Sequence, residues 1–255
     1  MGLGDWIMAT AQAKRENEKH GLRCVFTNGN KHFYEPDIFK GNRRIAENLL
    51  PGERYVAIPD YPGCRPYIKG YGPDRFIWDE HFKATPGELY LTAAEKRLPL
   101  EVPYVLIEPG VKGKDQRNKD WGWENWQQVA KAPFPFLQIG QKGNRLLDGI
   151  PFLETSFRQA LGMLYGASLL VTTDGALHHA AAALGVPAVV IWGGFTSPEN
   201  LGYDSHRNLW AGVDPCGIWK DSCQHCRDAL NAIKPAQVID AIGETLERSE
   251  RHLVA

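Results

Sequence analysis

The chain has 255 residues, of which 43% are hydrophobic and 23% charged, a composition typical of a globular protein with one large or two small domains. Its formal net charge of −1 disfavours a general polyelectrolyte that binds nucleic acid or a membrane surface, although a local basic patch stays possible. We find neither an apolar run of about 18 residues nor a signal peptide, so we expect a cytoplasmic protein. Five cysteines, with Cys24 and Cys64 isolated, do not resemble a secreted disulfide framework.

The amino-terminal part predicts a small α/β unit with long loops. Residues 6–19 read as a helix that Gly21 stops, and residues 22–27 and 54–58 read as strands. Asp5 stands at the start of the helix, where it could be an N-cap or could present a carboxylate to a cleft. Residues 28–88 are rich in glycine, proline and tyrosine, which predicts loops that either face a ligand or simply connect elements on the surface.

The carboxyl-terminal part predicts a doubly wound parallel sheet after a proline-bracketed linker at residues 96–103. Apolar runs without alternation fit strands that are covered on both faces, and here such runs alternate with helical segments. The predicted strands are 104–108, 134–140, 168–173 and 188–192, and the predicted helices are 123–131, 154–166, a segment ending at Gly185, and 235–253.

The turn after strand 168–173 is the best candidate for a phosphate site. Asp174, Gly175 and Ala176 end the strand and open an alanine-rich helix, which is where parallel sheets bind anions at helix N-termini. His178 and His179 add polar groups beside this turn. The loop after strand 104–108 should lie on the same sheet edge, so its cations could share a diphosphate or could be merely solvated; they are Lys112, Lys114, Arg117 and Lys119.

The cysteines near the carboxyl end have metal-ligand spacing. Cys223 and Cys226 form Cys-x-x-Cys, with Cys216 seven residues upstream of Cys223 and His225 between the pair. A structural zinc or iron ion would need His225 or a distant residue as its fourth ligand. Alternatively, the three thiols are a buried, reduced cluster.

Four motifs together give the chain a family resemblance. They are Gly-Leu-Gly-Asp at residues 2–5, Glu-Pro-Gly at 108–110 followed by Lys-Asp-Trp at 119–121, the segment from Asp174 to Pro187, and Gly-Gly-Phe-Thr-Ser-Pro at 193–198. In this combination the chain resembles family 9 glycosyltransferases, the group of the lipopolysaccharide heptosyltransferases. The resemblance implies an α/β fold of the GT-B type, in which two Rossmann-like doubly wound domains face each other across a cleft. Residues 1–98 would be a reduced acceptor-side domain, and residues 99–255 would bind the nucleotide sugar, with the last helix packing back on the first domain.

The resemblance also implies roles for individual residues. Asp5 corresponds to the general base and Lys119 to the lysine that contacts the donor phosphate. The remaining positions that the resemblance and the turn place at the donor are Asp174, Gly175, Ala176, Leu177, His179, Thr196 and Ser197. No metal or other cofactor is expected to be required for catalysis, because fixed cations and amides can stabilise a leaving diphosphate.

The expected function is therefore inverting transfer of a sugar from a nucleotide-diphosphate sugar, similar to ADP-heptose, to an acceptor hydroxyl. The family has a strand directly before its Gly-x-Gly-Asp motif, whereas only Met1 precedes Gly2 here, and the amino-terminal half is short. We therefore expect a glycan, a protein or a modified nucleobase as acceptor rather than a large lipid-linked one, and a homo-oligomer is possible. The alternatives are an epimerase or hydrolase of nucleotide sugars, and a catalytically silent module that binds a sugar nucleotide or a glycan.

Overall fold

The computed structural model describes residues 2–59, 65–110, 114–219 and 221–254. The predictions that involve Cys64, Lys112 and the side chain of Lys114 lie outside the described residues. Within these ranges, no helix has the length and apolar character that a membrane span requires.

The amino-terminal part is a reduced α/β unit, as predicted. Its elements are α1 (Leu3–His20), β1 (Cys24–Thr27), β2 (His32–Phe33), α2 (Pro36–Phe39), β3 (Val56–Pro59), β4 (Ile68–Tyr71) and β5 (Phe76–Trp78). In the three-stranded sheet, β1 pairs in parallel with β3 and antiparallel with β2. The predicted helix stop is confirmed, because Gly21 adopts a φ of 67° and its N–H donates to the carbonyl of Asn17. The segment predicted to be loops also contains the β4–β5 hairpin.

The carboxyl-terminal part contains a six-stranded, fully parallel sheet. Its strands are β6 (Val105–Glu108), β7 (Phe136–Gly140), β8 (Phe152–Glu154), β9 (Leu169–Thr173), β10 (Ala188–Ile191) and β11 (Arg207–Leu209). The order is β11-β10-β9-β6-β7-β8, so the first strand of the sheet, β6, lies beside the fourth, β9. This is the doubly wound order in which the chain reverses its winding direction between two central strands. The predicted fold class is thereby confirmed.

Helices cover both faces of this sheet. They are α3 (Trp123–Ala130), α4 (Phe157–Tyr165), α5 (Ala176–Leu184), α6 (Pro198–Leu201), α7 (Gln224–Ala232) and α8 (Pro235–Val254). Helix α1 of the amino-terminal part packs directly on α5. As a result, Trp6 and Ile7 belong to the same buried cluster as Leu106 and Leu170 of the large sheet. The two parts are therefore held together by a shared apolar core as well as by polar contacts.

One predicted helix begins later than expected. Residues 152–154 form the edge strand β8, and α4 starts only at Phe157. Ser156 caps this helix, because its hydroxyl accepts from the backbone N–H of Gln159, while the Gln159 side chain accepts from the N–H of Ser156. This capping box was readable in the sequence as Ser-x-x-Gln and would have placed the start correctly.

The last helix, α8, covers the large sheet, and its expected packing on the first domain stays a prediction. Helix α8 packs against α3 and against β9, β10 and β11 of the large sheet. Its buried residues Val238, Ala241 and Ile242 recur at a spacing of three and four, so they form one apolar stripe. That stripe lies in the cluster of Val105 and Val171, on the sheet face that α1 does not touch.

Candidate functional site

The candidate site lies where β6 and β9 end side by side. Ligands of doubly wound sheets bind at this switch point, because the loops from the two strands leave in opposite directions and open a crevice. The loop after β6 leads to a short 3₁₀-helix, Lys114–Lys119, and the loop after β9 is the turn at Asp174 and Gly175. The two segments singled out in the sequence are thus neighbours.

Lys119 and Asp174 form a nearly buried ion pair at this point. The Lys119 Nζ lies 2.6 Å from the Asp174 Oδ2, and their side chains are 17% and 5% exposed. The same ammonium lies 5.0 Å from the ring centroid of Phe195, in the loop that follows β10. Arg117, by contrast, is exposed. Of the four predicted basic residues, Lys119 is therefore the one whose described side chain reaches the turn.

The turn is shaped by His178. The N–H of Gly175 donates to the His178 Nδ1 at 3.0 Å, so the opposite ring nitrogen carries the proton, 3.3 Å from the carbonyl oxygen of Leu201. Burial lowers the pKa of His178, which agrees with a neutral ring. The N–H groups of Ala176 and Leu177 belong to the first turn of α5, where helix N–H groups lack partners within the helix. These amides form the kind of site that binds anions.

His179 connects this turn to the start of α1. Its Nδ1 lies 2.8 Å from the hydroxyl of Tyr203, and burial lowers its pKa well below the usual value. A Cβ placed on Gly4 would lie only 2.9 Å from the His179 Cδ2 and 3.4 Å from the Cα of Ala176. Glycine at position 4 therefore allows the amino terminus of α1 to approach the amino terminus of α5 closely.

Asp5 is held by three donors at this junction. Its Oδ2 accepts from the N–H of Gly2 at 2.8 Å and lies 3.3 Å from the Arg65 guanidinium, and its Oδ1 accepts from the hydroxyl of Tyr67. Asp5 is the third residue of α1, and Gly2 is the N-cap, so the N-cap assignment considered for Asp5 is wrong. The carboxylate stays partly accessible, with 20% of the side chain exposed. Burial and the Asp5 charge raise the pKa of Tyr67.

A row of aromatic rings extends from Asp5 toward Lys119. Tyr67 stacks near Trp78 with centroids 6.4 Å apart, and Trp78 meets Phe195 edge-on at 5.3 Å. The Trp78 indole N–H also donates to the Phe195 carbonyl at 2.8 Å. The sequence singled out these loops as possible ligand-facing segments but did not identify Arg65, Tyr67 or Trp78. Their contacts with the site join residues 60 or more positions apart.

Thr196 and Ser197 lie in the loop after β10 but differ in their bonding. The Thr196 hydroxyl is buried and has no hydrogen-bond partner within the described residues. The Ser197 hydroxyl donates to the Asn200 Oδ1 at 2.9 Å, and Ser197 is the N-cap residue of α6. Thr196 thus has a polar group left for a ligand, whereas Ser197 is engaged in the loop itself.

Glu108 is a further carboxyl group at the switch point that sequence reasoning did not assign to the site. It is the last residue of β6, and its Oε2 accepts from the hydroxyl of Thr172 on β9 at 2.7 Å. Desolvation raises the pKa of Glu108 to about 7. The strand-end position could have marked it, but its partial burial follows from the pairing of β6 with β9.

The three carboxyl-terminal thiols come together, but His225 does not join them. The Cys216 Sγ lies 3.8 Å from that of Cys223 and 3.2 Å from that of Cys226. A metal–sulfur bond of about 2.3 Å in a tetrahedral site puts sulfurs about 3.8 Å apart, so the group fits three ligands of a structural ion. The hydrogen bond from Cys226 lowers the pKa of Cys216 to about 6, which favours a thiolate ligand. The His225 Nε2 instead lies 2.8 Å from the Asp214 carbonyl oxygen, so the prediction of His225 as fourth ligand is wrong.

Solved structures of other proteins share this architecture. The iron-containing dodecameric glycosyltransferase TibC from enterotoxigenic E. coli is 18% identical, with a TM-score of 0.69 over 98% of this chain and 74% of TibC. A family 9 glycosyl transferase from Veillonella parvula is 12% identical, with a TM-score of 0.67 over 97% of this chain and 95% of that one. These likenesses show the fold, and the expected GT-B type is confirmed.

The family model described as Glycosyltransferase family 9 (heptosyltransferase) matches residues 153–236, and the resemblance to this family is thereby confirmed. The matched segment runs from the end of β8 into α8 and includes the Asp174 turn and the thiol group. The ADP-heptose lipopolysaccharide heptosyltransferase II of E. coli is 20% identical over 70% of this chain, with a TM-score of 0.48; the chain spans 56% of that enzyme's length. No curated protein matches the sequence.

Acid should destabilise the fold through three buried histidines: His178, His179 and His206. Burial lowers the pKa of each, for His206 to about 3, whereas the unfolded chain binds protons near pH 6.5. Each histidine should therefore cost up to about 1.4 kcal/mol of unfolding free energy per pH unit below pH 6.5. Urea unfolding between pH 7 and pH 5 measures this slope.

His206→Gln should reduce the slope by about one proton. His81→Gln, which changes an exposed ring, should leave it unchanged; equal slopes for all three proteins would refute the account.

The thiol group should bind a structural metal ion. Protein purified without chelator is expected to contain zinc or iron at about one ion per chain. Cys223→Ser combined with Cys226→Ser should remove the ion and lower the melting temperature, because the ion would tie the loop at Cys216 to α7. Cys24→Ser, which changes a buried thiol on β1, should keep the ion. Elemental analysis that finds no ion in the unmodified protein would leave the group as thiols alone.

Proposed function

We propose that this chain is an inverting glycosyltransferase that transfers a sugar from a nucleoside-diphosphate sugar, similar to ADP-heptose, to an acceptor hydroxyl. The observation that carries the proposal is the Lys119–Asp174 pair beside the first turn of α5, at the switch point of the large sheet. One of the similar structures is described as TibC in complex with ADP-D-beta-D-heptose, which supports the choice of donor class. In this proposal residues 99–255 hold the donor and residues 1–98 hold the acceptor.

The diphosphate of the donor would bind between the Lys119 ammonium and the amides of Ala176 and Leu177. As the glycosidic bond breaks, negative charge grows on the diphosphate, and fixed donors that already point at it stabilise the transition state without reorganising. The helix dipole of α5 adds a favourable field at the same place. The hydroxyl of Thr196, which is buried without a partner in the described residues, would be a further donor. These groups supply the charge stabilisation by themselves, and the thiol group would supply only structural support.

Donor binding would exchange one partner of Lys119 for another. In the free protein the ammonium is neutralised by Asp174, and a buried carboxylate that loses its cation needs new donors. Hydroxyl groups of the transferred sugar are suitable donors, so Asp174 would orient the sugar while Lys119 holds the phosphate. Because one side chain would bind the sugar and the other the phosphate, the turn would select a sugar diphosphate over a simple phosphate.

Asp5 would act as the general base on the acceptor. Its carboxylate is positioned by Gly2, Arg65 and Tyr67, and it remains partly exposed, so an acceptor hydroxyl can approach it. Removing the hydroxyl proton as the oxygen attacks the anomeric carbon makes the attack faster. Attack from the face opposite the departing diphosphate inverts the anomeric centre. A glycan, a protein or a modified nucleobase would each offer such a hydroxyl.

Two further elements of the proposal concern assembly. TibC is described as iron-containing and dodecameric, and the three clustered thiols of this chain are compatible with a structural ion. We include a structural zinc or iron ion and a homo-oligomer in the proposal on that basis.

Asp5→Asn should lower the transfer rate by roughly 10²- to 10⁴-fold, because asparagine keeps the shape of the side chain but cannot accept the acceptor proton. Affinity for ADP, measured by calorimetry, should stay the same, because Asp5 does not touch the donor in this scheme. Asp37→Asn is the matched control, since it changes a carboxylate in the first turn of α2. Both variants are compared by following nucleotide release from ADP- and UDP-sugars with glycan, peptide and nucleoside acceptors.

The same assay distinguishes the other possibilities. An epimerase changes the sugar without an acceptor, a hydrolase releases nucleotide without one, and a silent binding module only raises its melting temperature with the ligand. Near-normal turnover of Asp5→Asn would contradict the role of Asp5. The general base would then be another carboxylate of the cleft.

A further inference from the structure

The residue before Lys119 is a buried asparagine whose hydrogen bonds are nearly all used. Asn118 is 7% exposed, and its side-chain amide donates to the carbonyl oxygens of Ile218 at 2.6 Å and Asp221 at 2.9 Å. Its Oδ1 accepts from the N–H of Cys223 at 2.8 Å. Two carbonyl acceptors on one side and one N–H donor on the other fix the orientation of the amide.

These three bonds tie the Lys119 segment to residues 216–219 and 221–223, which we call the cysteine loop. The backbone of Asn118 also lies close to the loop after β10, because a Cβ on Gly193 would be only 2.9 Å from the Asn118 carbonyl oxygen. A lysine side chain has several rotatable bonds, so the place of its ammonium depends on where its Cα is fixed. Lys119 is the last residue of the Lys114–Lys119 helix, and the side chain of the residue before it ties this end of the helix to the cysteine loop.

The cysteine loop also holds the aromatic ring that lies beside Lys119. The N–H of Gly217 donates to the carbonyl of Phe195 at 3.0 Å, and the N–H of Cys216 donates to that of Gly194 at 2.8 Å. Its other side pairs with the β4–β5 hairpin, since the N–H of Phe76 donates to the Gly217 carbonyl at 2.9 Å. One loop thus fixes the backbone before Lys119, the ring beside its ammonium and the hairpin that carries Trp78.

We infer that Asn118 is the positioning residue of the donor site: it pins Lys119 to the cysteine loop so that the ammonium is aligned with the Asp174 turn before any nucleotide binds. Asn118 would act within the donor site, so this inference rests on the proposed function. Asn118 itself would touch no substrate. Its effect on nucleotide affinity would therefore pass through Lys119 and would disappear when Lys119 is gone.

A double-mutant cycle with ADP as the probe tests this route. Asn118→Ala should weaken ADP binding about tenfold in calorimetry, because the ammonium then samples positions away from the phosphate. In a Lys119→Ala background, the same substitution should change ADP affinity by less than about twofold. An equal loss in both backgrounds, or an unchanged affinity for Asn118→Ala alone, would overturn the inference.

Asn208→Ala is the matched control for loss of a bracing amide. Asn208 also donates to two carbonyls, those of Tyr203 and His206, and accepts one bond, from the Trp192 indole. It lies on β11, away from Lys119, so its loss should lower stability while ADP affinity stays within about twofold. A tenfold loss of ADP affinity in Asn208→Ala would show that general loosening explains the effect.

Hydrogen exchange of the free protein separates failure of this inference from failure of the proposed function. Asn118→Ala should speed exchange in residues 114–119, whereas Asn208→Ala should not, and neither result needs a nucleotide. If the unmodified protein binds neither ADP nor UDP, the proposed function fails, and the exchange data still decide whether Asn118 fixes this segment. Unchanged exchange in Asn118→Ala would overturn the inference.

Discussion

The ion pair between Lys119 and Asp174 is the interaction on which the rest of the site depends. Two opposite charges 2.6 Å apart in a nearly buried place lose most of their hydration, so each is stable there only while the other, or a substitute, is present. A pair of this kind adds little net stability but makes the site sensitive to a ligand that can replace one partner. In the proposed function, a diphosphate would replace Asp174 as the partner of Lys119, and sugar hydroxyls would replace Lys119 as the partner of Asp174.

Several local contacts hold the two residues of this ion pair in place. The His178 side chain accepts from the N–H of Gly175 and so holds the turn that carries Asp174. Asn118 anchors the segment that carries Lys119. Glycine at position 4 lets α1 approach α5, which places Asp5 one residue from that contact. The Asp174 turn, Lys119 and Asp5 are therefore fixed by different elements that converge at one edge of the sheet.

The parts of this arrangement that depend on local sequence were predictable. The strand, turn and helix around Asp174 follow from apolar periodicity and small residues, and Gly21 marked the end of α1 because only glycine easily adopts its positive φ. Contacts between distant segments were not predictable, as the bonds from Tyr67 to Asp5 and from Asn118 to Ile218 show. His225 was misassigned from its place beside Cys226 in the sequence. The side chains of successive residues on a helix point about 100° apart, so the two side chains face different directions. The surface that the final helix covers was not predictable, because an apolar stripe alone does not say which sheet it packs on.

A crystal structure of the protein with ADP would test the central claim most directly. The account predicts that the diphosphate oxygens lie about 2.7 to 3.1 Å from the Lys119 Nζ and from the backbone nitrogens of Ala176 and Leu177, with the Lys119–Asp174 pair opened. Nucleotide bound at another edge of the sheet, or bound here while Lys119 stays on Asp174, would contradict it.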